Sequence, residues 1–268
     1  MGLQDAIILK MVAGIRAGLP RCGADKLHFM LRQDFAAHGI KMGRDGLYRL
    51  LGRHGLLVRW RSRRVYTTDS RHHYRMYPNL IRDMVLTAAG QLWVSDITYL
   101  RKANGFSYLS IITDAYSHKI VGYKLHPTLH AEGALDALAM AAGDVKKSAG
   151  LVHHSDRGVQ YCCGQYVAAA GHYGIRLSMT EKGDPYENAI AERVNGILKH
   201  EHGLGATFAS HAVAVAAVDG AVKKYNGLRV HDSCGRLTPA MAHEQQGVLR
   251  KLWKPKVYRK KAVAAGPA

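Results

Sequence analysis

The order of strand-like and helix-like segments in the middle of the chain limits the folds it can adopt. The first segment, Leu92–Leu100, is rich in apolar and β-forming residues and has one carboxylate, Asp96, at its centre. Five strands are predicted at Leu92–Leu100, Tyr108–Thr113, Lys119–Leu125, Leu151–His154 and Ile175–Met179, and three helices at Ala131–Ala142, Gln160–Tyr173 and Asn188–His202. Closely linked strands followed by alternating helices and strands predict an α/β fold, with a mixed five-stranded sheet and flanking helices.

The distribution of charge separates this middle part from the two ends. The 268 residues include 38 Lys and Arg against 20 Asp and Glu, which gives a formal net charge of +18. Residues 1–80 hold 15 basic and 5 acidic residues, residues 81–205 hold 12 of each, and residues 206–268 hold 11 basic and 3 acidic residues. Because a strongly basic balance is typical of proteins with a polyanionic partner, we expect the two ends to hold nucleic acid. The neutral middle is expected to have a role other than holding nucleic acid.

The composition argues against several other classes of protein. With 47% hydrophobic residues the chain can bury a core, which excludes wholesale disorder. No apolar run approaches the roughly 18–20 residues of a membrane span, and Asp5 and Lys10 interrupt the first apolar stretch, unlike a signal peptide. Four cysteines are too few and too irregularly spaced for a disulfide scaffold. We therefore expect a protein of the reducing cytoplasm without a membrane partner.

Residues 1–56 are predicted to form a helix-turn-helix region. Apolar residues recur at helical spacing over 3–15, 24–35 and 45–53, with Gly39 in the turn before the third helix. In a helix-turn-helix the second helix of the pair enters a major groove. A plain helical bundle with solvated arginines fits the same pattern. The candidate DNA contacts on or beside the third helix are Arg44, Arg49 and Arg53.

Two further basic segments, residues 57–80 and 246–268, are predicted to be a linker and a C-terminal tail. In the linker, arginines alternate with aromatic residues, a combination suited to phosphate contacts and stacking. A flexible connection between domains fits the linker as well, and a solvated tail fits the second segment. The candidate DNA contacts in the linker are Arg59, Arg61, Arg63 and Arg64.

Three carboxylates of the neutral middle are candidate functional residues. Asp96 interrupts a strand that is otherwise fit for burial, where an unpaired carboxylate is costly and needs a partner or a metal. Asp156 follows the carboxyl end of a strand, where ligands bind in open α/β sheets. Glu192 shares a polar helix stripe with Lys199, opposite an apolar stripe. Each of them, taken alone, also fits an ordinary role as a paired strand residue or part of a solvated helix face.

The three carboxylates and their flanking motifs together resemble the DDE triad of bacterial insertion-sequence transposases of the OrfB type, which have a retroviral-integrase-like catalytic core. The motifs are Trp93–Tyr99, His154–Tyr161, Gly183–Ala189 and Ala191–Arg193, followed by Tyr225-Asn226, His231 and Thr238-Pro239. The spacing fits too, with 35 residues between Asp156 and Glu192 and the basic Lys199 seven positions after Glu192. The N-terminal region resembles the helix-turn-helix and linker of the same family, so the likeness covers nearly the whole chain.

This resemblance implies an RNase H-like catalytic core over residues 81–245. Asp96, Asp156 and Glu192 would be its catalytic residues and the ligands of Mg²⁺, for which Mn²⁺ would substitute, because an oxygen-only site suits these ions. Lys199, Asn195 and Arg157 are expected to meet phosphate or the terminal bases, although Arg157 also fits an ion pair with a core carboxylate. No zinc is expected, because no pair of histidines stands at finger spacing from Cys-x2-Cys.

The implied function is that of an enzyme, a DNA transposase that cleaves strands at insertion-sequence ends and transfers them. Its partners would be double-stranded DNA (the terminal inverted repeats and the target), further copies of itself on DNA, and an upstream-frame helix-turn-helix protein. It would be a bacterial cytoplasmic, nucleoid-associated protein. Two alternatives remain. A non-catalytic DNA-binding protein, such as a repressor or decayed transposase, has no reason to keep all three carboxylates. A hydrolytic nuclease of the RNase H class leaves the helix-turn-helix unexplained.

Overall fold

A computed structural model of the chain describes residues 3–58, 73–143, 150–181 and 188–252. Residues 59–72 of the predicted linker, with the candidate DNA contacts Arg59, Arg61, Arg63 and Arg64, lie outside the described residues. The same holds for residues 253–268 of the predicted tail and for 182–187 in the third motif.

The N-terminal region consists of three helices, α1 (Leu3–Gly18), α2 (Ala24–Ala37) and α3 (Arg44–Arg53), which confirms the three predicted helices. They bury their own apolar core, in which Leu31 and Phe35 of α2 pack with Leu47 of α3. Gly39, between α2 and α3, has a φ of 63°, a left-handed conformation that favours glycine. This local core explains why periodicity alone predicted the three helices.

The described residues form a sheet of six strands. They are β1 (Leu92–Lys102), β2 (Gly105–Asp114), β3 (Ile120–His126), β4 (Val152–Ser155), β5 (Arg176–Met179) and β6 (Thr207–Phe208). The order is β3-β2-β1-β4-β5, and β6 pairs with the far end of β1. β1, β2 and β3 are antiparallel, whereas β4 and β6 run parallel to β1, and β5 runs parallel to β4. The five predicted strands are confirmed. The predicted number of strands is too low by one, because the sixth strand, β6, has only two residues and therefore no recognisable hydrophobic period.

In the part of the chain that the structure describes, six α-helices follow the N-terminal region: α4 (Glu132–Gly143), α5 (Val159–Cys162), α6 (Gly164–His172), α7 (Ala189–Glu201), α8 (His211–Leu228) and α9 (Pro239–His243). The helix predicted over 160–173 is wrong in one respect, because it is divided into α5 and α6. Cys163, between them, has an extended backbone with ψ of 150°. Its amide still bonds to the Val159 carbonyl, closing α5, and its carbonyl accepts the first bond of α6 from Val167.

The two faces of the sheet are covered by different helices. On one face, Leu100, Leu109 and Ile111 pack with residues of α7 and α8. On the other face, Trp93 and Ile112 pack with residues of α4, α5 and α6. This arrangement brings the carboxyl end of β4, the middle of β1 and the first turn of α7 to the same edge of the sheet.

The helices of the N-terminal region contact the core at the C-terminal end of α7. Lys26 Nζ lies 3.9 Å from a carboxylate oxygen of Glu201, the last residue of α7. Asp25 pairs with Arg236, whose guanidinium also stacks on Phe29 at 4.9 Å from the ring centroid. In the described ranges, no helix is long and apolar enough to cross a membrane.

Candidate active site

Strand β1 places Asp96 just past the point where β1 and β4 stop pairing. The last pair of residues in register is Val94 with His154. The Asp96 side chain is partly buried and is held by two hydrogen bonds. The backbone amide of Ile97 donates to Oδ1 at 2.9 Å, and the Asn195 side-chain amide of α7 donates to Oδ2 at 2.7 Å. The carboxylate is therefore fixed in position where the sheet opens.

Asp156 follows β4 directly, at the neighbouring strand end, as expected for parallel strands of an open α/β sheet. Its Oδ1 accepts a hydrogen bond from the amide of Gly158 at 3.0 Å. A Cβ atom on Gly158 would lie 3.0 Å from that oxygen and 3.1 Å from the side-chain oxygen of Gln160. The tight turn after β4 therefore favours glycine here for reasons of space.

Helix α7 presents Glu192 from its first turn, where the side chain is exposed. The residue before the helix, Asn188, donates its side-chain amide to the carbonyl of Ser95 at 2.9 Å. One helical turn after Glu192, Asn195 bonds to Asp96. Two amide side chains thus attach the start of α7 to Ser95 and Asp96, which fixes Glu192 beside the other two carboxylates.

The charges at this edge of the sheet are of the same sign and interact. Burial raises the pKa of Asp96 to about 7, and the negative charge of Asp156 and, to a smaller extent, that of Glu192 act in the same direction. The hydrogen bonds from Asn195 and Ile97 oppose this rise without cancelling it. The structure therefore brings Asp96, Asp156 and Glu192 close enough together that their ionised forms repel.

Lys199, two turns after Glu192, is the basic residue of this site. Burial lowers the pKa of its ammonium group, and the charge of Asp96 opposes that effect. Its Nζ lies 4.4 Å from the centroid of the Tyr99 ring. Lys199 is partly exposed, so its ammonium group lies at the rim of the site, facing the carboxylates and solvent.

The chemistry of the three carboxylates suits a divalent metal ion. No three His, Cys, Asp or Glu side chains in the described parts of the chain are already arranged to hold a metal ion. Mg²⁺ binds through one or two carboxylates and keeps several waters, so a preformed cage is not needed. A cation would relieve the repulsion by Asp156 and Glu192 that adds to the effect of burial on the pKa of Asp96. The oxygen donors and their crowding therefore fit Mg²⁺ or Mn²⁺.

The other predicted DNA contacts lie in different surroundings. Asn195 is only 6% exposed, and its amide is committed to Asp96. Arg157 donates from Nε to the carbonyl of Thr180 at 2.7 Å, which ties the turn after β4 to the end of β5. On α3, Arg44 and Arg49 are exposed, and Arg53 lies 3.6 Å from the Asp5 carboxylate. The arginines of α3 belong to the N-terminal helices and not to the carboxylate site.

A buried polar cluster beneath the site was not predicted. Ser95 Oγ and the hydroxyl of Tyr166 lie 2.7 and 3.1 Å from Nε2 of His153. Burial lowers the pKa of His153 to about 3, so the imidazole is neutral. The available signal was polar residues inside strands predicted to be buried, since such residues need hydrogen-bond partners. The cluster supports β1 and β4 at the positions that precede Asp96 and Asp156.

Comparisons with known proteins identify the family. Two family profiles, each described as an integrase core domain, match residues 87–185 and 173–239. The insertion element IS600 uncharacterized 31 kDa protein of Shigella sonnei is 36% identical over 219 residues, covering 80% of each chain. The transposase InsF for insertion sequence IS3A of Escherichia coli K12 is 33% identical over 238 residues, covering 88% of this chain and 80% of InsF.

A solved structure supports the fold. One chain in the cryo-EM structure of the simian T-cell lymphotropic virus intasome in complex with PP2A regulatory subunit B56 gamma superposes with a TM-score of 0.51. The two sequences are 18% identical, and the match covers 91% of this chain and 81% of the other. The chain therefore belongs to the insertion-sequence transposases with a retroviral integrase-like, RNase H-like catalytic core.

Proposed function

We propose that Asp96, Asp156 and Glu192 are the DDE residues of this transposase, and that they bind Mg²⁺, or Mn²⁺ in its place, for cleavage and transfer of DNA strands. As a DDE transposase the chain is a polynucleotidyl transferase, and the integrase core family depends on divalent metal ions. The observation that carries the assignment is the placement of three carboxylates, from β1, the end of β4 and α7, at one edge of the sheet, where the charges of Asp156 and Glu192 add to the effect of burial on the pKa of Asp96.

Each residue has a distinct task in this proposal. Asp96 and Asp156 present carboxylate oxygens from neighbouring strand ends, and Glu192 adds a third from α7. Asn195 orients Asp96 through its 2.7 Å hydrogen bond. Lys199 lies where a phosphate of the DNA strand would need a positive charge. When bound, divalent ions supply Lewis-acid activation of a water or a DNA 3′-hydroxyl and stabilise the leaving oxygen.

The proposed division of the chain follows the charge distribution. Residues 1–56 and the linker 57–80 bind DNA, with Arg44, Arg49 and Arg53 on the DNA-facing helix, and residues from 81 onward form the catalytic core. The contacts of Gly247 and Leu252 favour extending the core beyond 245. The amide of Gly247 donates to Thr87 at 2.7 Å, and that of Leu252 donates to Asp232 at 2.8 Å. We therefore place the start of the basic tail after residue 252.

The family acts on DNA as an oligomer. For this chain we propose that the DNA partners are the terminal inverted repeats of its element and a target duplex. Several copies of the chain would join on these DNA ends. An upstream-frame helix-turn-helix protein is a further proposed partner. It would bind DNA together with the N-terminal helices of this chain.

The test uses linear DNA that carries the two sequences flanking the gene. We expect the wild-type protein with Mg²⁺ or Mn²⁺ to give cleaved ends and joined products on gels, whereas Asp156→Asn binds the ends and gives neither. Asp136→Asn, a change at a half-exposed residue of α4, is the matched control and should behave as wild type. Cleavage by Asp156→Asn would contradict the assignment. Nicking without joined products in the wild type would indicate a hydrolytic nuclease.

A further inference from the structure

A row of aromatic and cationic side chains extends from the carboxylate site along the β1–β2 hairpin. Tyr99 and Phe106 pack edge to face, with ring centroids 5.1 Å apart and an interplanar angle of 81°. The Arg101 guanidinium carbon lies 5.3 Å from the Phe106 centroid, and Lys199 Nζ lies 4.4 Å from the Tyr99 centroid. We call Tyr99, Arg101 and Phe106 the stacking face, which Lys199 borders on the side of the active site.

The strand register puts these side chains on one side of the hairpin. Arg101 is directly opposite Phe106, and Tyr99 is two residues from Arg101 on the same strand. Cross-strand partners, and residues two apart along a strand, point to the same face. Phe106 is 38% exposed, Arg101 is exposed and Tyr99 is partly exposed. The stacking face is therefore open to solvent, unlike the inner part of the same sheet face beneath α4.

The stacking face lies close to the reacting groups. Tyr99 follows Asp96 by three residues on an extended strand, which corresponds to about 10 Å, or roughly three steps of 3.4 Å along a DNA strand. Because side chains alternate along a strand, the Tyr99 side chain leaves β1 on the face opposite to that of Asp96. Lys199 connects the two places, because it feels the charge of Asp96 and also covers one side of the Tyr99 ring. On the side away from β2, β1 is unpaired between Val94, its last residue paired with β4, and Arg101, its first residue paired with β6. A DNA strand with a phosphodiester at Asp96 would bring its next few nucleotides to these rings by passing around this unpaired stretch of β1, beside Lys199.

The chemistry of the stacking face selects an unpaired base. A cation over an exposed ring contributes only about 0.5–1 kcal/mol, whereas a base stacked on an aromatic side chain contributes about 1–3 kcal/mol. A base can therefore displace the long side chain of Lys199 or Arg101 from a ring, and the freed cation then meets a phosphate. A base inside a duplex has both its faces covered by neighbouring base pairs, whereas an unpaired base offers its faces to the rings.

We propose that the stacking face binds an unpaired nucleobase of the DNA strand whose phosphodiester lies at Asp96, Asp156 and Glu192. This inference rests on the proposed function, since it takes the carboxylates as the place of the reacting phosphodiester. It adds a site that holds the strand open next to the scissile position. Positive charge beside the rings favours DNA over a neutral protein partner.

The test measures binding in the absence of divalent metal, so that it does not depend on cleavage. One DNA end carries a three-nucleotide single-stranded overhang with 2-aminopurine, whose fluorescence falls when the base stacks, and a fully paired end of the same sequence is the comparison. We expect wild-type protein to quench the overhang probe. Phe106→Ala and Phe106→Leu should remove the quenching and weaken overhang binding by roughly 5- to 150-fold, while binding to the paired end is unchanged.

Phe106→Trp keeps a ring and should keep the quenching, and Met140→Ala, a change at an exposed residue of α4, should behave as wild type. Phe106→Leu preserves an apolar side chain, so loss of quenching in this variant with an unchanged unfolding midpoint supports stacking. Equal losses on overhang and paired ends, or full quenching by Phe106→Leu, would overturn the inference. A wild-type protein that quenches the probe but never cleaves would contradict the proposed function and leave the stacking site standing.

Discussion

The two ends of helix α7 hold their carboxylates in opposite ways. At the C-terminal end, Glu201 is buried and both of its oxygens accept hydrogen bonds from Arg229, at 2.6 and 2.8 Å. Burial alone would raise the pKa of Glu201, but the hydrogen bonds and charge of Arg229 outweigh it, so the pKa is lowered. At the other end, burial and neighbouring carboxylates raise the pKa of Asp96 to about 7.

The difference separates a carboxylate that is paired within the protein from one that we propose to be functional. Glu201 has its countercharge within the protein, joins α7 to the end of α8 through Arg229, and needs nothing from solution. Asp96 has amide donors and like-charged neighbours, so its ionised form is held at a cost that a bound cation would relieve. One helix thus has a buried ion pair at its C-terminal end and, at its N-terminal end, the carboxylates that we propose as cation ligands.

The largest effect on stability is expected at the C-terminal end of α7. Arg229→Met removes both hydrogen bonds to buried Glu201 and leaves it the more distant Lys26 Nζ at 3.9 Å, which should lower the free energy of unfolding by about 3–5 kcal/mol. The side chains are only 4% and 9% exposed, so solvent cannot replace the lost bonds. The measurement is urea denaturation, with midpoint and slope compared. The double variant Arg229→Met with Glu201→Leu should recover most of the loss, and Asp136→Asn should stay within about 1 kcal/mol.

A loss from Arg229→Met no larger than that of the Asp136→Asn control would contradict the structural role of this ion pair. It would also remove the contrast between the two ends of α7, because the pairing at Glu201 would then contribute as little as an exposed pair.

A smaller effect, on cleavage, is expected from Asn195→Ala near the N-terminal end of α7. The change removes the amide donor to Asp96 Oδ2, so metal-dependent cleavage should fall by about 10- to 100-fold. Because that hydrogen bond lowers the pKa of Asp96, its loss should also shift the pH profile of cleavage to higher pH. Asn226→Ala, whose amide bonds only to the backbone of Ile120, is the control. It should lower stability without moving the profile; an unshifted profile in Asn195→Ala would mean a merely structural role.

Much of this architecture could be predicted from the sequence. The strands and helix α7 show strong periodicity, and the motifs around Asp96, Asp156 and Glu192 carried the family resemblance. The two-residue strand β6 was missed because it has no period of its own. The break at Cys163 was missed because no proline or charged residue marks it. The only local signal is the following Gly164, the first residue of α6.

The contacts of two side chains could not be predicted from spacing along the chain. Asn195 shares the polar stripe of Glu192, which favoured contact with DNA; its amide bonds to Asp96 in the middle of β1, and the DNA contact stays a prediction. Arg157 was expected to meet phosphate or a core carboxylate; its Nε donates to the carbonyl of Thr180, a bond that was not predicted, and the phosphate contact stays a prediction. Both outcomes depend on how α7 and β5 pack against β1 and β4, and long-range packing is not encoded in local spacing.

The central claim is that the carboxylates around Asp96 are crowded for the sake of a cation, and the thermal unfolding midpoint of Asp96→Asn tests it most directly. The pKa of Asp96, about 7 in the folded protein against an ordinary 3.8, means that the folded state holds the proton more tightly. Its contribution to stability is therefore present below about pH 4 and is lost as the pH rises through 7.

Without metal, Asp96→Asn should thus be more stable than wild type at pH 8, by on the order of a few kcal/mol, and the difference should vanish near pH 4. Added Mg²⁺ should reverse the order at pH 8, because binding at 100 times the dissociation constant stabilises the wild type by about 2.7 kcal/mol and the variant by much less. A variant less stable than wild type in the absence of metal, or equal stabilisation of both proteins by Mg²⁺, would contradict the account.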